Sequence, residues 1–101
     1  MRAVQILGDE MSPKVSTTDS IPEPKPQGSE ILIQVHAAGI TSDEVQWPEL
    51  YKSPTRIPGH EISGVITAFG PEYDGPLIIG QDVFAFKSAG KEGQGQTEYV
   101  I

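Results

Sequence analysis

The sequence predicts a single, mainly β domain. Two stretches, ILIQVHAAG at 31–39 and ISGVITAFG at 62–70, have strand length and are rich in β-branched and apolar residues. Eleven glycines and nine prolines are spread along the whole chain, so turns recur between short segments, which suits strands better than a helical bundle. A chain of 101 residues, 37% hydrophobic and 21% charged, has the composition of an ordered domain with one core. Folding at this size removes roughly two thirds of the unfolded surface from water.

Taken in order, Arg2–Leu7 is a short apolar strand candidate closed by Gly8-Asp9, and residues 12–18 are its candidate partner. In IPEPKPQGSE, Pro22, Pro24 and Pro26 bar both a helix and a central strand. This stretch reads as an extended spacer, favoured over a proline-rich recognition motif. Within 31–39, alternation places Ile31, Ile33, Val35 and Ala37 on one face and Leu32, Gln34, His36 and Ala38 on the other. His36 thus falls on a half-polar face and is expected to be solvated. After the second strand at 62–70, LIIGQDVFAF reads as strand, turn, strand, and TEYVI at 97–101 as a last strand. That strand runs to the final residue without a cap or polar tail, as expected of a domain cut from a longer protein.

One helix start is signalled. Thr41-Ser42-Asp43-Glu44 fits a capping box, in which a hydroxyl accepts from a backbone amide and Glu44 reaches back. Asp43 and Glu44 also suit the positive end of the helix dipole. Pro48 is expected to end this helix or break it near Trp47.

Composition excludes several functions. A net charge of −7 with seven scattered basic residues offers no stripe for nucleic acid. No segment is apolar enough to span a membrane, and a cytoplasmic protein is the default expectation. The absence of cysteine rules out disulfides and thiolate metal sites.

The ordered set formed by the strand ending AAGI, the TSDE turn, PGHEISGVITAFG, GQDVFAF and the closing TEYV resembles a known family along the whole chain. It is similar to the N-terminal, GroES-like catalytic domain of the medium-chain dehydrogenases and reductases, in their zinc-independent, quinone oxidoreductase-like branch. Gly59-His60-Glu61-x-x-Gly64-x-x-x-x-x-Gly70 matches the family's most specific local spacing. The resemblance implies a partly open antiparallel β-barrel with one or two short helices over residues 1–101, forming one wall of an active site. The other wall in such enzymes is a nucleotide-binding domain with a glycine-rich turn between strand and helix. Gly90, Gly93 and Gly95 have the wrong spacing for that turn and read as a flexible loop.

The resemblance also frames the site. In zinc-dependent members a cysteine stands where Thr41 stands here, and a neutral hydroxyl is a poor replacement for a thiolate. Asp43 takes the place of a hydroxyl that those members often use to relay a proton. The resemblance makes Thr41 a catalytic candidate and Ser42 and His60 substrate-pocket candidates, with Glu44 and Glu61 as supporting carboxylates; Trp47 and Tyr51, four residues apart, add an aromatic face for a flat substrate and, in the Tyr51 phenol, a candidate catalytic acid. Capping alone also accounts for Thr41, and barrel packing for Trp47 and Tyr51. Adjacent residues in a strand face opposite ways, so His60 and Glu61 are expected to point apart. His60 then packs at a crevice against Glu44 or backbone, or joins Glu61 and Glu44 around a metal.

The implied activity is NADP-dependent reduction of a quinone or enone, with an aldehyde as a further substrate class and a homodimer left open. NADP would be held by the nucleotide-binding domain, and no residue of this chain is assigned to cofactor or metal. The isolated chain is therefore expected to be inactive. A zinc-dependent alcohol dehydrogenase domain and a non-catalytic binding module are the alternatives. Elemental analysis after dialysis should find well under one equivalent of zinc; stoichiometric zinc that resists chelation would reverse this reading and make His60, Glu61 and Glu44 the first ligands to test.

Overall fold

The computed structural model describes residues 1–9, 11–40, 46–53, 55–86 and 94–101. The capping box at Thr41–Glu44, and with it Thr41, Ser42, Asp43 and Glu44, lies outside them, as do Gly90 and Gly93. Among the described residues six strands and one short α-helix follow in the order β1 (Ala3–Asp9), β2 (Ser12–Thr18), β3 (Ile31–Ala38), α1 (Pro48–Lys52), β4 (Glu61–Phe69), β5 (Asp82–Phe86) and β6 (Tyr99–Val100). All strand pairs are antiparallel. β1 and β2 form a hairpin, and the other four form a sheet in the order β5-β4-β3-β6. Among the described residues the two sheets do not close into a continuous cylinder, which gives the partly open barrel.

The hairpin and the sheet are joined by the chain around residues 94–100. The Val4 amide donates to the Gln96 carbonyl at 2.9 Å and the Glu98 amide to the Arg2 carbonyl at 3.1 Å, flanking a bridge between Ala3 and Thr97. On the other side the Val35 amide donates to the Glu98 carbonyl at 2.8 Å, and Tyr99 and Val100 pair with Gln34 and Ile33. The Arg2 amide also donates to the Glu98 carboxylate, which holds that carboxyl below the usual range.

The same segment ties down residues 57–59. Gln94, Gly95 and Gln96 donate to the carbonyls of Ile57, Gly59 and Pro58, each at 2.9 Å. Gly59 has φ +109°, and a β-carbon there would lie 2.8 Å from the Gln96 nitrogen. A β-carbon on Gly95 would lie 2.7 Å from Ile62 Cγ2. Both glycines let two backbones meet. The flexible-loop reading is therefore corrected for Gly95, which is buried and hydrogen-bonded.

Two other expectations change. Alternation along β3 holds only as far as Val35. His36 is an extra residue in the pairing with β4, and Thr67 is an extra residue on β4. One added residue reverses the face of everything beyond it. Ala38, not Ala37, consequently joins Ile31, Ile33 and Val35 around the cluster of Ile33, Ile62 and Val100. His36 is exposed, as expected.

Second, Leu77–Ile79 do not form a strand. Their amides find local partners instead: Leu77 donates to the Tyr73 hydroxyl at 3.0 Å and Ile78 to Gln81 Oε1 at 3.2 Å. Pro48 also opens a helix, α1, while the helix expected to start at Thr41, and with it its end at Pro48, lies outside the described residues. Trp47 is the extended N-cap and Pro48 occupies the first turn. A proline has no amide hydrogen to lose at that place, and its fixed φ already suits the helix.

Gly64 tests the packing of β3 on β4. A β-carbon there would collide with the Gln34 carbonyl and press Ile33 Cγ2 at 2.9 Å. Gly64→Ala should cost about 1–3 kcal/mol of stability, read as a lowered midpoint in urea. An unchanged midpoint would show that the two strands lie further apart.

Candidate functional site

The two stretches that carry the family pattern meet in space. β3 ends in Ala37-Ala38, and Ala38 pairs with Ile62 of β4. The next amide, of Gly39, donates to the Glu61 carbonyl at 2.7 Å, and a β-carbon on Gly39 would lie 3.1 Å from Glu61 Oε2. The strand end at 37–39 thus lies directly beside the histidine–glutamate pair at 60–61.

His60 and Glu61 part company at the start of β4, as alternation requires. His60 is 6% exposed, whereas Glu61 is exposed to solvent. The His60 ring packs on Trp47, with ring centroids 5.1 Å apart and planes tilted by 46°. Trp47 reaches it because the chain is still extended at the N-cap, before Pro48 turns into α1.

Tyr51 sits near the end of α1 and is half-buried. The Arg56 guanidinium carbon lies 5.3 Å from its ring centroid. Trp47 and Tyr51 thus each meet a different residue of the 53–60 segment. That segment is itself well held. The Ser53 hydroxyl, buried, accepts from the amides of Thr55 at 3.2 Å and Arg56 at 3.1 Å. Leu50 and Ile57 are buried on either side of this turn. Sequence reasoning brought forward Trp47, Tyr51, His60 and Glu61 but missed Ser53 and Arg56. A serine two residues before a threonine in a turn is a visible signal of a side chain folding back on its backbone; nothing marked Arg56.

A groove of about 520 Å³ runs along Ala37, Ala38, Gly39, Glu61, Phe84 and Phe86. A wider concavity of about 840 Å³ lies between the strand ends at Arg2, Thr17, Asp19, Gln96 and Glu98. Arg2, the only cationic lining residue among the described residues, is engaged with Glu98. A third, of about 270 Å³, involves His36, Ser63 and Asp82. None of the three is lined by Trp47, Tyr51 or His60 among the described residues.

Among the described residues the donors do not gather as zinc requires. No thiolate exists in the chain, the His60 imidazole is packed on an indole, and Glu61 is exposed where His60 is buried. Among the described residues no three of His, Asp and Glu converge. Nor does Gly95 offer an amide to a phosphate, because that amide is bonded to Gly59.

The Trp47–His60 contact is open to a direct test, since Trp47 is the one tryptophan. His60→Ala should shift its emission to longer wavelength as the indole becomes wetter, while His36→Ala, at an exposed position, should leave the spectrum unchanged. Identical spectra for wild type and His60→Ala would show that the two rings do not pack.

Comparison with known proteins agrees with the geometry. Residues 27–100 match the family described as the alcohol dehydrogenase GroES-like domain. The solved quinone oxidoreductase from Coxiella burnetii superposes on 99% of this chain with a TM-score of 0.71 at 20% identity, using 34% of its own length. The human synaptic vesicle membrane protein VAT-1 homolog-like protein superposes on 99% with a TM-score of 0.69 at 28% identity, using 31% of its length. The chain thus spans about a third of these solved proteins. It belongs to the GroES-like domain family of the alcohol dehydrogenases, within the medium-chain dehydrogenases and reductases.

Proposed function

We propose that this domain is the substrate-side wall of a zinc-independent, NADP-dependent oxidoreductase that reduces quinones or enones. The carrying observation is the Trp47 ring packed on the buried His60 imidazole, in a chain without a thiolate. That arrangement supports recognition of a flat, conjugated substrate over coordination of an alkoxide by metal. The lack of cysteine also suits an electrophilic substrate, because thiolates are the side chains that such compounds alkylate most readily.

In this reading the second wall is a nucleotide-binding domain following in sequence, and NADPH held there supplies the hydride. One hydride and one proton convert a quinone to its hydroquinone. The chain's own part is to orient the substrate and manage the proton. Trp47 offers an aromatic face, Thr41 and Ser42 offer hydroxyls, and the Tyr51 phenol donates a proton to the reduced substrate. His60 holds the indole in place, and Glu44 and Glu61 are the supporting carboxylates.

Calorimetry should detect no NADPH binding to residues 1–101, and the chain should not reduce quinones. A version extended through a nucleotide-binding domain should do both. In that version Thr41, Trp47 and Tyr51 substitutions should change turnover or substrate preference more than cofactor affinity. Micromolar NADPH binding by the 101 residues would move the cofactor site into this domain; zinc-dependent alcohol oxidation by the extended protein would hand the function to the zinc-dependent class.

A further inference from the structure

We infer that Arg56 is the positioning residue that fixes Tyr51 within the substrate-side wall, an inference that rests on the functional reading above. Arg56 has φ +52°, in the left-handed region that residues with a β-carbon rarely adopt. Its main chain is fully used there. The amide donates to Ser53 Oγ at 3.1 Å, and the carbonyl accepts from the Ile6 amide at 3.0 Å. A glycine would meet those two backbone bonds with less strain. What an arginine adds is its side chain, and that side chain makes two contacts. Nη1 donates to the Gly8 carbonyl at 2.7 Å, and the guanidinium lies over the Tyr51 ring.

Those contacts connect the end of β1 to α1 through one rigid planar group. α1 has only five residues, too few to be stable by itself, so the direction of Tyr51 must be set by tertiary contacts. A guanidinium anchored by a hydrogen bond and lying over a ring restrains the position of that ring. Lysine could supply the charge but not the fork that reaches Gly8 while covering the ring. Arg56 therefore acts through Tyr51, restraining where the phenol points.

Ring resonances of the three tyrosines, Tyr51, Tyr73 and Tyr99, give the test in the 101-residue chain, with Tyr51→Phe assigning the first. Arg56→Gly suits the backbone angle and removes only the clamp. The Tyr51 ring signals should then shift and narrow while those of Tyr73 and Tyr99 stay in place, and Arg56→Lys should recover part of the shift. Unmoved Tyr51 signals in Arg56→Gly would overturn the proposal, as would equal movement of all three rings. A second arm adds 2-methyl-1,4-naphthoquinone. Saturable shifts of Tyr51 in the wild type, requiring at least fivefold more quinone in Arg56→Gly, support positioning for substrate. If Arg56→Gly frees Tyr51 but the quinone moves neither Tyr51 nor the Trp47 emission of the wild type, the clamp stands and the quinone reading fails.

Discussion

The close approach of Gly59 and Gly95 is the contact on which the rest of this domain depends. It lets residues 94–96 run alongside 57–59 with three main-chain hydrogen bonds. From there the chain continues between β1 and β3, bonding to both. Each such bond contributes only about 0.5–1.5 kcal/mol net, but a buried amide left unpaired costs more than that. A side chain at either glycine would push the strip away from its neighbours, and hairpin and sheet would lose their common partner. The GHE motif owes its first residue to this packing. Its glycine is a structural requirement of the seam, independent of whatever chemistry His60 takes part in.

The same seam explains how a five-residue helix comes to present aromatic side chains reliably. The 53–60 segment is fixed on one side by Ser53 folding back on the turn and on the other by the strip at 94–96. Against this fixed segment, Trp47 meets His60 and Tyr51 meets Arg56, one contact at each end of α1. Buried Leu50 and Ile57 supply the apolar contribution between them. Placement of the site thus flows from backbone pairing to turn, from turn to helix, and only then to side chains.

The β content, the hairpin and the two long strands were legible because their signals are local: β-branched runs bounded by glycine and proline. The face reversal beyond Val35 was not, because an extra residue at His36 leaves no mark on composition and exists only relative to β4. Leu77–Ile79 misled for a related reason, since an apolar run does not reveal that Tyr73 and Gln81 will take its amides. At Pro48 the missing amide hydrogen that bars a helix interior suits the first turn of α1, a start that the sequence reading did not name. Within the site, His60 and Glu61 could be named from the family pattern, and Trp47 and Tyr51 from their aromatic character and spacing. Their pairing could not, because Trp47 and His60 meet only after the chain turns through α1 and the 53–60 segment. Thr41, Ser42 and Glu44 lie outside the described residues.

β5 carries a consequence for how this domain behaves in solution. Val83 and Ala85 turn inward, whereas Phe84 and Phe86 are 93% and 70% exposed on a strand that is paired on one side only among the described residues. Such an edge is a template for unwanted strand pairing. The counterweight is the net charge of −7, which makes copies of the chain repel one another at neutral pH. That protection vanishes toward the isoelectric point near 4.6 and weakens as salt shortens the range of repulsion. Colloidal stability of the domain is therefore borne by its acidic surface, and mild acid or high salt strips that protection away.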